Sequence, residues 1–181
     1  MKTATQSLED DHVHVMKLTD VMVALTHFEN PDPGHVSTII EIIRNFADGY
    51  HHAKEENLFF PALGLKGFSP EQGPVAVMLH EHIEGRKYVR GIAENLELYN
   101  KGDKSAIAGI FQNMLGYAEL LRSHIGKENN ILFRMADNVL SEAEQQNLLS
   151  GFNIIENDSP SGLRAKDYID RINELASFYK V

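Results

Sequence analysis

Residues 51–60 read HHAKEENLFF, and residues 124–133 read HIGKENNILF. Aligned at an offset of 73, they share His51/His124, Lys54/Lys127, Glu55/Glu128, Asn57/Asn130 and Phe60/Phe133, five identities in ten positions. The preceding segments repeat more weakly at an offset of 70: Asp11-His12 matches Glu81-His82, and Lys17 matches Lys87. Each half is therefore one segment with an acid–His step followed by one with His-x-x-x-Glu. This restricts the chain to folds in which two equivalent halves can face each other.

The spacing of apolar residues makes both halves helical. Leu8, Val15, Leu18, Met22 and Leu25 form one stripe of a first helix, with Ser7-x-x-Asp10 read as the capping box that opens it. It ends before the breaker Asn30-Pro-Asp-Pro-Gly34. A second helix is expected from about Val36 to Leu63, a third from Pro74 to Tyr99, and a fourth from Lys104 to Asp137. Short connections between four long amphipathic helices predict an all-α, up-down-up-down four-helix bundle over residues 1–138. Residues 139–181 form a C-terminal helical extension. Ser141 caps a helix to about Phe152, Asn157–Gly162 is a linker, and Leu163–Tyr179 is a last helix. The extension is expected to pack on the bundle or on a subunit partner, which allows a homo-oligomer.

Composition narrows the chemistry. The chain has no cysteine, which excludes disulfides, iron–sulfur clusters and thiolate metal sites. A formal charge of −9 without a basic cluster disfavours nucleic acid. No apolar run is long enough to span a membrane, and the first residues, MKTATQSLEDDH, lack the apolar stretch of a signal peptide. A cytoplasmic location is the expectation.

Residues four apart on a helix share a face, about 6 Å apart along the axis. Nine histidines would give about one His-x-x-x-Glu pair by chance; the sequence has four. The repeat selects His51/Glu55 and His124/Glu128 as the shared pairs. His52 and Glu56 belong to one copy only, since they align with Ile125 and Asn129, and His80/Glu84 has no repeat partner. With His12 and His82, the two halves contribute four histidines and two glutamates to one layer of a bundle. Imidazole with carboxylate suits iron, manganese or zinc. Two carboxylates able to bridge, with histidines around them, suit a pair of metals. Ferritin-like bundles use Glu-x-x-His on two helices, whereas Glu9/His12 is the one such pair here and has no counterpart. A haem site would not need the matched glutamates, and a catalytic zinc site typically holds one ion with three ligands. The set points to non-haem di-iron.

Four stretches carry a family resemblance: LEDDHVHV, FADGYHHAKEENLFFPAL, GPVAVMLHEHIEGRKYVRG and YAELLRSHIGKENNILF. In order and spacing they resemble the hemerythrin-like, or HHE cation-binding, family over residues from about 7 to 138. The resemblance implies two iron ions, bridged by an oxo or hydroxo group, inside a four-helix bundle. It implies His12, His51, His82 and His124 as terminal ligands and Glu55 and Glu128 as bridging carboxylates.

The oxygen-carrying members supply five histidines, one helix giving His-x-x-x-His. Here His82 is followed at +4 by Arg86 and preceded at −4 by Met78. A fifth ligand comes from elsewhere, or iron keeps an extra open position. His14 and His80 sit about 200° from His12 and His82, and His27 and His35 lie more than about 20 Å along their helices. His52, about 100° from His51, is the best remaining histidine, either as a ligand or partner of one, or as an outward residue on the helix shoulder. Tyr117 lies two turns before His124 and either lines a pocket near the metal or is a core tyrosine. Gly85, at +3 from His82, either leaves room for a gas or permits close helix packing. Asp11 and Glu81 are candidates to orient neighbouring groups. Met16, Met78, Leu8, Leu120 and Phe60 are expected to form an apolar shell.

The expected function is binding of a small diatomic ligand, dioxygen or nitric oxide, for storage, transport or sensing. The competing expectation is a di-iron oxidoreductase acting on nitric oxide or peroxide. A third is an interaction protein whose partner surface is the C-terminal extension.

Overall fold

In a computed structural model of the chain, residues 2–157 and 162–181 are described. They form six helices and no strand: α1 (Ala4–Leu25), α2 (residues 33–64), α3 (Pro74–Asn100), α4 (residues 104–139), α5 (Glu142–Asn157) and α6 (Ala165–Tyr179). The first four make the antiparallel bundle. None of the helices is long and apolar enough to cross a membrane.

The helix starts follow local capping chemistry. α1 begins one turn earlier than Ser7-x-x-Asp10 suggested. Thr3 Oγ1 accepts from Gln6 N at 3.2 Å, and Gln6 Oε1 accepts from Thr3 N at 3.0 Å, so the capping box lies at Thr3. α2 also starts early, because Asp32 caps Gly34 N at 2.7 Å and Pro33 occupies the first turn, where its missing N–H costs nothing. Part of the breaker is therefore helix. Ser141 and Glu144 cap α5 reciprocally. The expected linker, residues 157–162, lies mostly outside the described residues.

α2 and α4 are not uniform. Residues 43–52 and 55–59 of α2, and 128–132 of α4, are wound as π turns closing on i→i+5 bonds. The last two lie inside the repeated motifs, and the first ends on the leading histidines His51 and His52. A wider turn has more residues per revolution, so neighbours diverge by a smaller angle than in an α-helix.

The core has two apolar blocks. One gathers Leu18, Met22, Ile39, Ile92, Ile110 and Met114 toward the α1–α2 and α3–α4 turns. The other gathers Leu8, Phe59, Leu63, Met78, Phe133 and Ala136 at the opposite end. Between them runs a layer of buried polar residues. The extension packs on both blocks: Tyr168 and Ile172 of α6 join the first, and Leu148 and Phe152 of α5 join the second.

Helices α3 and α4 approach closely. A Cβ at Gly85 would stand 3.1 Å from a ring carbon of Tyr117 and 3.7 Å from Leu120, and one at Gly116 would stand 2.5 Å from the ring of Tyr88. Gly85 thus serves helix packing. The Tyr117 ring, not an open volume, fills the space above it.

Candidate metal centre

The buried layer contains His12, His51, His52, Glu55, His82, His124 and Glu128, each at most 4% exposed. Their ligand atoms form two overlapping groups, each within 4.8 Å throughout. One is His12, His51, Glu55 and Glu128; the other is His52, Glu55, His82 and His124. Glu55 belongs to both. The six residues read from the repeat are thus brought together, and a seventh, His52, joins them.

His52 is the histidine open to two readings. An α-helical wheel places it on the shoulder of α2. The π winding of residues 43–52 turns both His51 and His52 inward, so the sequence angle overstates their divergence. The His52 ring stacks on that of His82 with centroids 3.7 Å apart. The remaining histidines stay outside the layer. His80 is exposed, and His35 meets the Tyr179 hydroxyl at 2.8 Å.

Each of the five histidines is anchored through Nδ1. His12 donates to Asn129 Oδ1 at 2.7 Å, His82 to Glu56 at 2.7 Å, His124 to Glu81 at 2.9 Å and His52 to Asp48 at 3.1 Å; His51 faces Asp11 at 3.4 Å. A proton fixed on Nδ1 leaves the lone pair on Nε2. All five Nε2 lone pairs are then free for the interior. His12 Nε2 and His51 Nε2 stand 2.9 Å apart, and His82 Nε2 and His124 Nε2 stand 3.2 Å apart.

These anchors obey the repeat. Asp11 and Glu81 hold the matched His51 and His124. Each is backed by a lysine from the matched motif, Lys54 at 2.8 Å from Asp11, and Lys127 paired with Glu81. Phe133 stacks on His12 and Phe60 on His82, at centroid distances of 5.6 and 5.9 Å. The halves differ in their cover. Lys54 is buried, because Glu156 of α5 pairs with it at 2.5 Å, whereas Lys127 is one-third exposed.

Sequence reasoning missed Asp48, Arg86, Asn129 and the use of Glu56. Asp48 was detectable, since it lies four residues before His52 on one helix face. Glu56 lies four after His52 but meets His82 instead. Arg86, four residues after His82, binds Asp48 through Nε at 2.9 Å and Glu56 through a terminal nitrogen at 2.8 Å. It therefore ties together the acceptors of His52 and His82.

The electrostatics separate an anionic rim from a strained centre. Burial works against ionisation of Asp48, Glu56 and Glu81. Hydrogen bonds to His52 and Arg86, to His82 and Arg86, and to His124 and Lys127 nevertheless hold their carboxyls below the usual range. Inside, burial and facing imidazoles push His51 well below the ordinary histidine value and His52 down to about 4. Burial and the charge of Glu128 push Glu55 well above the carboxylate range. Burial also opposes the ionisation of Glu128, but His124 and His12 draw its carboxyl below that range.

All four oxygens of Glu55 and Glu128 are buried without an aligned hydrogen-bond partner. The Nε2 atoms of His12 and His124 lie 3.2 and 3.3 Å from Glu128, and those of His82 and His51 lie 3.4 and 3.7 Å from Glu55. Buried carboxylate oxygens with no donor are costly. Carboxylate oxygens and imidazole lone pairs converging on the same space are acceptors awaiting a cation. The donor set fits metal ions of borderline hardness.

No curated protein and no solved structure matches the chain. Residues 3–136 match the family model described as the Hemerythrin HHE cation binding domain. With the matched region spanning the four-helix bundle and every histidine and glutamate of its buried layer, the chain belongs to the hemerythrin HHE cation-binding family.

Proposed function

We propose that this chain is a non-haem di-iron protein that binds dioxygen, or nitric oxide, for storage, transport or sensing. The observation that carries the reading is the set of four orphaned carboxylate oxygens on Glu55 and Glu128, grouped with five histidine rings. His12 and His51 would hold one ion and His52, His82 and His124 the other, with Glu55 shared between them and Glu128 in reach of both His12 and His124. Bound iron would supply redox chemistry and a position for a small ligand. The chain's own contribution is to fix the imidazole tautomers through Asn129, Glu56, Glu81, Asp48 and Asp11, and to cover the His12 and His82 rings with Phe133 and Phe60.

Five histidines favour the binding reading over the oxidoreductase. The sequence expectation of a more open iron pair rested on a missing fifth histidine, and His52 supplies a candidate from α2. The test is a visible spectrum of the anaerobic ferrous protein as oxygen is added and withdrawn. Absorption that appears and disappears with oxygen supports reversible binding. A permanent change after one exposure overturns it and makes turnover of nitric oxide or peroxide the better reading.

A further inference from the structure

A cleft of about 210 Å³ opens from the protein surface onto the histidine layer. His52 and Tyr117 form its inner wall, and Ile43 and Val89 its apolar sides. Arg44, Arg86 and Arg90 contribute three guanidinium groups, against one carboxylate from Asp48, a lining charge of +2. This stands out in a chain whose net charge is −9.

The three arginines are not equivalent. Arg86 is committed inward to Asp48 and Glu56. Asp48 is bonded to Arg86 and His52. Among the described residues, Arg44 and Arg90 form no ion pair. They stand on α2 and α3, on either side of the cleft. Arg44, Asp48 and His52 follow one another at four-residue steps along α2, and Arg86, Val89 and Arg90 do so along α3 at three- and four-residue spacing. The helix faces that place the metal-centre residues therefore also place the cationic mouth.

We propose that this cleft binds a small planar oxyanion of the formate, nitrite or bicarbonate kind, held between Arg44 and Arg90 and seated beside His52 and Tyr117. Guanidinium is planar and presents paired N–H donors matched to two oxygens in one plane. The volume admits an anion of this size with water, and apolar Ile43 and Val89 beside the charges lower the local polarity and strengthen the attraction. Tyr117, one of the most buried tyrosines of the chain at 1% exposed, closes the inner end. The site is built from residues around the cleft and does not depend on what the histidine layer holds.

Equilibrium dialysis of radiolabelled formate, at constant ionic strength, tests this on the full-length chain as purified and again after metal removal by chelation. Circular dichroism confirms that the helices persist in each sample, and a zinc-loaded sample replaces the stripped one if they do not. Saturable binding of about one formate per chain, present in both metal states and weakened about tenfold in R44Q/R90Q, is the expected result. Both arginines are exposed, so the variant keeps its fold. Binding that vanishes with the metal places the anion on the metal and overturns the proposal, as does unchanged affinity in R44Q/R90Q. Perchlorate, equal in charge but tetrahedral, should compete poorly; equal competition overturns the assignment to planar oxyanions. A chain that binds formate but no iron would sink the di-iron reading and leave this one standing.

Discussion

Glu56 and Asn129 stand at matching positions of the two halves, 73 residues apart, and each accepts the Nδ1 proton of a histidine on an adjacent helix at 2.7 Å: Glu56 from His82, Asn129 from His12. One is ionised and the other neutral, yet both do the same geometric work. The property held in common is an oxygen at the end of a side chain, not a charge.

This equivalence gives the first prediction. Glu56→Gln retains the acceptor oxygen and should keep iron affinity within a few fold of the parent. Glu56→Ala frees the His82 ring and should weaken it about 10–100-fold. Competition with a coloured iron chelator measures both. Equal losses in the two variants would show that charge, not orientation, is what Glu56 supplies.

His52 gives the second. His52→Leu removes one of three imidazoles from the group that contains His82 and His124. The ion held there should weaken at least about tenfold while the His12/His51 ion is retained, so stoichiometry falls toward one iron per chain. His14→Leu, outside the layer, should change nothing. Two tightly held irons in the His52 variant would return that residue to the helix shoulder.

A third prediction concerns the metal-free chain. It buries Glu55 and Glu128 with no hydrogen bonds to their oxygens, so the site is a liability without its cation. Glu55→Leu should raise the metal-free chain's stability by about 1–4 kcal/mol, read from the urea midpoint, while lowering that of the protein given iron. A less stable metal-free Glu55→Leu chain would mean that the carboxylates have partners of their own.

The fourth is a pH dependence. Burial first, and neighbouring histidines next, lower the folded-state values of His51 and His52, the latter to about 4; His82 is also lowered, burial outweighing its bond to Glu56. A group so shifted binds fewer protons folded than unfolded. Its contribution is fully present above the unfolded value of about 6.5 and is lost as pH falls toward the folded one. Glu55, raised by burial and by Glu128, works in the opposite sense as pH rises past its unfolded value. Three imidazoles against one carboxyl leave a net loss on acidification. The metal-free chain's Tm should drop by about 4 °C or more between pH 7 and pH 5. A flat or rising Tm over that interval contradicts the burial of neutral histidines.

Most of this architecture was legible in the sequence because it is written in spacing. Apolar periodicity located four bundle helices, and the duplicated motif selected His12, His51, Glu55, His82, His124 and Glu128, which the fold brings into one layer. What escaped was local. Thr3/Gln6 caps α1 instead of Ser7/Asp10, since both are valid capping boxes and only packing chooses between them. The π turns of α2 leave no mark in composition, yet they turn His52 inward and so change the count of histidines in the layer. Gly85 carried two readings, and only the position of the Tyr117 ring, contributed by another helix, decided for packing. The orienting partners Asp48, Asn129 and Arg86 depend on contacts between helices, which helical periodicity does not encode. Lys54 shows the same limit: its burial comes from Glu156 in the extension, a hundred residues away.

In the function proposed for this chain, one layer of buried histidines and glutamates holds two irons. The most direct measurement is the iron content of the chain reconstituted anaerobically with ferrous iron, alongside Glu55→Ala, Glu128→Ala and His80→Ala. Two irons per chain in the parent and in His80→Ala, with the pair lost in both glutamate variants, is the result expected. Two irons retained in both glutamate variants, or none bound by the parent, would rule out a di-iron centre built on Glu55 and Glu128.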